Sequence, residues 1–165
     1  MPTATINVAA VTAPDQWALG AGTDKVQAVN TPNDEDSSYI SSSAIGQIEQ
    51  YSLLAAPAIP PGSTITDLRT VIRAKKTAGT CRIRALGVLG GVTSWGHITG
   101  IITAVYVDYL DSLARPGGGA WTPADLAGLE VGIDQWTNAA ARCTTFYLQV
   151  DYTPPPSTGD FLLLF

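Results

Sequence analysis

Between Ile65 and Lys76 the chain reads ITDLRTVIRAKK, and its apolar and polar positions alternate with a period of two. Leu68, Thr70, Ile72 and Ala74 fall on one side and Arg69, Val71, Arg73 and Lys75 on the other, as in a strand with one face in a core and one at the surface. Cys81 to Leu89 repeats the pattern, with Cys81, Ile83 and Ala85 inward and Arg82 and Arg84 outward. The link Thr77-Ala78-Gly79-Thr80 is short enough to predict an antiparallel hairpin between the two. Arg142 to Tyr152 sets Thr144, Phe146, Leu148, Val150 and Tyr152 against Cys143, Thr145, Tyr147, Gln149 and Asp151, a third strand. Ile98 to Tyr109 is rich in β-branched and aromatic residues and predicts a fourth. Shorter strands are expected over Gln47 to Leu53, Trp17 to Leu19 and Lys25 to Val29, with Ile6 to Val11 at an edge, making about seven or eight in all.

One segment departs from this rhythm. After Ala114-Arg115-Pro116-Gly117-Gly118-Gly119, the run Trp121-Thr122-Pro123-Ala124-Asp125-Leu126-Ala127-Gly128-Leu129 offers Thr at an N-cap, Pro at the first helical position and Asp at the third. That arrangement satisfies and charges a helix start. Leu126 and Leu129, three apart, would face the core, Gly132 would stop the element, and Trp121 would staple the entry. The expectation is one short helix closing the end of a sandwich.

The chain has 165 residues, the size of one domain, and its 16 glycines and 11 prolines interrupt helices often enough to favour short strands and turns. A body over residues 1–153 is followed by Pro154-Pro155-Pro156, a stiff spacer, and the chain then ends Phe161-Leu162-Leu163-Leu164-Phe165. Five consecutive apolar residues beyond such a spacer are an aggregation hazard unless covered. The expectation for residues 154–165 is an arm that adds a strand to a neighbouring subunit.

Several function classes lose support. Ala85 to Val107 holds no Asp, Glu, Lys or Arg, but Gly87, Gly90, Gly91, Ser94, Gly96, His97 and Gly100 interrupt it too often for a spanning helix. Met1-Pro2-Thr3-Ala4-Thr5 lacks the basic and apolar regions of a secretory signal, so folding in a cytoplasm is expected. Cys81 and Cys143 lie too far apart for a zinc cluster or a Cys-x-x-Cys pair, and two buried thiols are expected rather than a disulfide. His97 is the single histidine, and no Gly-x-Ser-x-Gly or phosphate-binding glycine motif accompanies it. Asp34-Glu35-Asp36 lacks the alternating ligands of a calcium loop and reads as a solvated turn. Asp108 and Asp111 would form a glycosidase pair only by coincidence of folding. No catalytic residue, metal or cofactor is therefore assigned, and no enzyme is expected. Trp17, Trp95, Trp121 and Trp136 remain as core or recognition aromatics.

Lys and Arg number 9 and Asp and Glu 14, a net charge of −5 that argues against specific nucleic-acid binding. The distribution is uneven: Arg69, Arg73, Lys75, Lys76, Arg82 and Arg84 crowd an interval free of acids. Opposed on one hairpin face, such cations repel unless the register staggers them or an anionic surface meets them. Arg69, Arg73, Lys75, Arg82 and Arg84 are thus candidate partner-binding residues, together with Phe161, Leu162, Leu163, Leu164 and Phe165.

The segment Asp34-Glu35-Asp36-Ser37-Ser38-Tyr39-Ile40, the strands 65–75 and 81–89, the block Ala120-Trp121-Thr122-Pro123-Ala124-Asp125-Leu126 with Gly132, and Phe146-Tyr147-Leu148-Gln149-Val150-Asp151-Tyr152 together resemble small jelly-roll structural proteins of tailed bacteriophages. The likeness spans residues 15–153, and its most distinctive piece is Trp-Thr-x-Ala-Asp-Leu. It implies an all-β, jelly-roll-like antiparallel β-sandwich with one short helix, in a virion component that assembles and does not turn over substrate. A capsid decoration or cement subunit is the first expectation. The major capsid protein or other virion subunits would be its partners, homo-oligomers its form, and no membrane would be involved. A tail or fibre protein with a carbohydrate- or receptor-binding sandwich is the alternative, and it requires Trp95 or Trp136 to face solvent.

Overall fold

The computed structural model describes residues 1–31, 34–55 and 59–156. Among these described residues ten strands form two antiparallel sheets: β1 (Thr3–Asp15), β2 (Ala18–Ala21), β3 (Tyr39–Ser42), β4 (Ile48–Leu53), β5 (Thr64–Lys76), β6 (Ile83–Leu89), β7 (Val92–Trp95), β8 (Val107–Ser112), β9 (Glu130–Gln135) and β10 (Ala141–Thr153). Sheet A contains β8-β5-β10, with β3 and the first half of β1 end to end along the far edge of β10, and β2 outside β3. Sheet B runs from the second half of β1 through β4, β9 and β6 to β7. The ribbon β3 to β6 thus lies against β7 to β10 in both sheets, the double Greek-key order of a jelly roll.

Period-two patterning selects the inner faces. Leu68, Ile72 and Ala74 of β5 and Phe146, Leu148 and Val150 of β10 meet Tyr51, Ile83, Ala85, Val131 and Ile133 of sheet B in one core. The Tyr51 and Phe146 rings touch across the two sheets, centroids 5.8 Å apart. Both thiols are free and buried, and desolvation pushes that of Cys143 up to about 12. A strict alternation would send Cys143 outward with Tyr147. A β-bulge between Cys143 and Thr145 turns it inward instead, opposite Ala74.

Four expectations are corrected. The strands at 65–76 and 81–89 form no hairpin: β5 pairs with β10 and β8, β6 with β9 and β7, and the short link crosses between sheets. Lys25–Asn30 is an α-helix (α1) rather than a strand, because Asp24 accepts the Gln27 N–H at 2.8 Å as an N-cap and Ala28 and Val29 turn into the core. The expected helix after Trp121 is a short 3-10 turn over Pro123–Ala127, with Thr122 at the expected N-cap joined to Asp125 in a capping box and Leu126 buried. The strand expected from Ile98 begins only at Val107, and residues 96–106 are irregular, with the Thr99 and Ile102 N–H groups donating to the Ile83 and Cys81 carbonyls at 2.9 Å. The uncharged stretch therefore becomes β6, β7 and this loop, and among the described residues no helix is long and apolar enough to cross a membrane.

Candidate functional site

The cations singled out from sequence part company in the fold. Arg69, Arg73 and Lys75 lie on the outer face of sheet A, where acids of the same chain meet them. Arg69 reaches Asp151 at 2.5 Å and Asp67 at 3.3 Å. Arg73 bridges Glu35 at 2.8 Å and Asp108 at 3.1 Å, and Lys75 binds Asp36 at 2.5 Å. Arg142 joins Asp36 from β10 at 2.7 Å and stacks over Tyr39, while Lys75 sits 4.5 Å above the Tyr106 ring. Lys75, then Arg142, hold the Asp36 carboxyl down at about 2. Of the two arrangements the sequence left open, sheet A thus has the anionic one, supplied within the same molecule by Glu35, Asp36, Asp67, Asp108 and Asp151.

Arg84 sits on the outer face of sheet B. Register places it beside Asp134 of β9, whose Oδ2 accepts its Nε–H at 2.7 Å. Its guanidinium lies 3.8 Å from the Trp95 ring centroid and 4.1 Å from that of Trp136, an indole on either side. Trp95 is 43% exposed and Trp136 37%, whereas Asp134 is buried beneath them with Oδ1 free of any partner among the described residues. The pair Arg84–Asp134 is electrically balanced, so the site presents two flat apolar surfaces held at a fixed spacing by a buried-anchored cation. Arg82 is exposed, in the link before β6. Phe161, Leu162, Leu163, Leu164 and Phe165 lie outside the described residues.

The other two tryptophans are structural. Trp17 is buried, its indole N–H donating to the Gln47 carbonyl at 3.0 Å and its backbone N–H to Glu49 at 2.8 Å. Trp121 packs against the core and donates to the Leu113 carbonyl at 2.9 Å. Asp108 and Asp111, three apart on β8, project to opposite faces: Asp108 meets Arg73, while Asp111 lies 3.2 Å from Nδ1 of the exposed His97. Among the described residues no cluster of three or more His, Cys, Asp or Glu is placed to hold a metal ion.

Asp134 was the residue sequence reasoning missed. The signal existed: Val131, Ile133 and Gln135 point inward, so Asp134 and Trp136 share the outer face with Arg84 and Trp95. No known protein family and no curated protein matches the chain.

Proposed function

We propose that the chain is a non-enzymatic virion subunit of the tail or fibre kind, which recognises carbohydrate through the outer face of sheet B. The observation that carries this reading is the pair of part-exposed indoles, Trp95 and Trp136, clamped about Arg84. Sugar rings present flat arrays of C–H groups, and rigid aromatic faces bind them with little loss of conformational entropy. The free terminal N–H groups of an arginine and nearby polar side chains would orient hydroxyls around that stack. The virion setting comes from the resemblance to phage jelly-roll proteins. The test is a glycan array probed with the full chain, followed by titration of tryptophan fluorescence. Trp95→Ala and Trp136→Ala should each weaken binding at least about tenfold while leaving the melting temperature near wild type. Absence of any glycan ligand, or binding indifferent to both substitutions, overturns the reading.

Capsid decoration draws on the apolar run Phe161–Phe165 and on the cations of sheet A. Those cations are engaged by Glu35, Asp36, Asp108 and Asp151, which leaves the attachment to the C-terminal run. Its experiment is deletion of residues 157–165: loss of particle binding by a folded protein favours decoration, and undiminished attachment removes it.

A further inference from the structure

Each sheet ends in strands with one unpaired edge, and such edges invite pairing with another chain unless they are blunted. Among the described residues, three of these open edges are blunted. The outer half of β1 carries Pro14, Asp15 and two register shifts, β8 carries Asp108 and Asp111, and β2 contains Gly20 and a register shift of its own. β7 has none of these. It reads Val92-Thr93-Ser94-Trp95, without charge, proline or bulge, in clean register with β6 after the two-residue Gly90-Gly91 turn, where both glycines have positive φ. It lies in the longest uncharged stretch of the chain, and Val92, Trp95 and the following Ile98 are exposed apolar residues along it.

We propose that β7 pairs with β7 of a second copy, joining sheet B of two molecules into one continuous sheet. The register follows from the existing ladder. Gly96 donates to the Ala85 carbonyl at 2.9 Å, so with strict antiparallel alternation Ser94 and Val92 are the rungs bonded to β6, and Thr93 and Trp95 turn their backbone N–H and C=O toward the open edge. An antiparallel partner that uses those groups on both sides sets Thr93 opposite Trp95 of the other copy and Ser94 opposite itself on the two-fold axis. The arrangement is isologous and opposes no like charges. The same operation at β8 would bring acidic strands together, in a chain whose net charge is already −5. Thr93, Trp95 and Arg84 share the outer face, so the two Trp95–Arg84–Trp136 stacks would lie on one surface, one on each side of the seam. The pairing stands whether or not that surface takes a glycan.

The test is sedimentation equilibrium of the full chain from roughly 1 to 500 µM, a range that catches small interfaces. A reversible dimer is expected. Thr93→Pro removes an outward N–H without touching a β6 rung, and should raise the dimer dissociation constant at least about tenfold with unchanged circular dichroism. Ser94→Lys and Ser94→Asp, each placing like charges on the axis, should be monomeric alone and form a heterodimer when mixed. A wild-type chain that stays monomeric throughout overturns the proposal. So does a dimer that survives Thr93→Pro, because it must be assembled by another surface.

Discussion

Arg115 presents Nε and Nη2 to the two carboxylate oxygens of Asp125, at 3.0 and 2.9 Å, and the same carboxylate accepts the backbone N–H of Thr122 at 2.8 Å. Asp125 thus closes the capping box of the 3-10 turn and holds Arg115, whose Nη1 donates to the Gly118 carbonyl and anchors the glycine turn before it. Arg115, then the Thr122 contacts, hold the Asp125 carboxyl down at about 2, against an ordinary 3.8. A carboxyl with a lowered folded pKa contributes stability that is fully present above its unfolded pKa and is lost as pH falls from about 4 toward 2. Asp125→Asn should therefore lower the melting temperature by roughly 2–4 °C at pH 7, taking about 1 kcal/mol for a lost cap. The gap between variant and wild type should close between pH 4 and pH 2 in a series of thermal melts. A gap constant across that range would detach the contact from the carboxylate's charge.

Strand periodicity carried most of this architecture. The inward set Leu68, Thr70, Ile72 and Ala74 is buried as its alternation requires, and the Thr-Pro-x-Asp signal marks a real cap although the turn it opens is 3-10. Pairing was less legible, because period two fixes which face a residue takes and says nothing of which strand lies beside it. The short Thr77–Thr80 link therefore suggested a hairpin where the chain steps from one sheet to the other. The same gap hid the counter-ions: Glu35 and Asp36 reach Arg73 and Lys75 only because β3 brings its turn alongside β10. The Asp24 cap preceding Val26 and Val29 was a readable helix signal, outweighed by the β-branched residues around it. At the Trp95–Arg84–Trp136 site each residue's face was predictable, and only the register of β6, β7 and β9 put them in contact.

Gly132 occupies a position in β9 where any side chain collides with the backbone of β4. A Cβ there would lie 2.6 Å from the Glu49 carbonyl oxygen and 3.2 Å from the Leu86 side chain. The carbonyl belongs to the sheet ladder and cannot swing aside as a side-chain end can. Gly132→Ala is expected to destabilise by about 1–3 kcal/mol, the range for overpacking. Gly100→Ala, whose Cβ would meet nothing within 4 Å, should stay within about 0.5 kcal/mol of wild type. Chemical denaturation of both variants checks the contrast, and equal effects would contradict it.

Tyr51 brings its ring into the core against Phe146, yet its hydroxyl has no hydrogen-bond partner among the described residues. Burial, with the nearby Glu49 charge second, pushes the phenol's pKa upward. A buried donor without an acceptor carries its desolvation penalty uncompensated, about 1–3 kcal/mol. Tyr51→Phe keeps the aromatic contact and removes that penalty, so the variant should unfold at higher denaturant than wild type. Phe146→Ala, which deletes the contact and leaves a cavity, should cost about 3–5 kcal/mol. A clearly destabilised Tyr51→Phe would mean that the hydroxyl is satisfied after all.

Glu49 is the most deeply buried acid of the inner faces, its side chain wholly covered between the sheets. Lys25 reaches it from α1 at 3.0 Å and pairs also with Asp15, while the Trp17 backbone N–H donates to its Oε2 at 2.8 Å. Desolvation raises the Glu49 pKa, and the contacts from Trp17 and Lys25 work against that shift. Removing the cation would leave a buried charge alone, so Lys25→Met should destabilise by up to about 3–5 kcal/mol at neutral pH. The sign with pH is opposite to that of Asp125. Folded Glu49 holds its proton more tightly than the unfolded chain does, so acidification below neutrality returns stability until the unfolded pKa is passed. Melts of Lys25→Met should thus recover toward wild type as the pH is lowered from neutrality toward the ordinary carboxylate range. Glu49→Gln in the same background should recover at pH 7 without acid, because it removes the charge that Lys25 was neutralising. If the double variant is no more stable than Lys25→Met alone, the loss comes from packing at α1 and the buried ion pair is not what holds the helix to the sandwich.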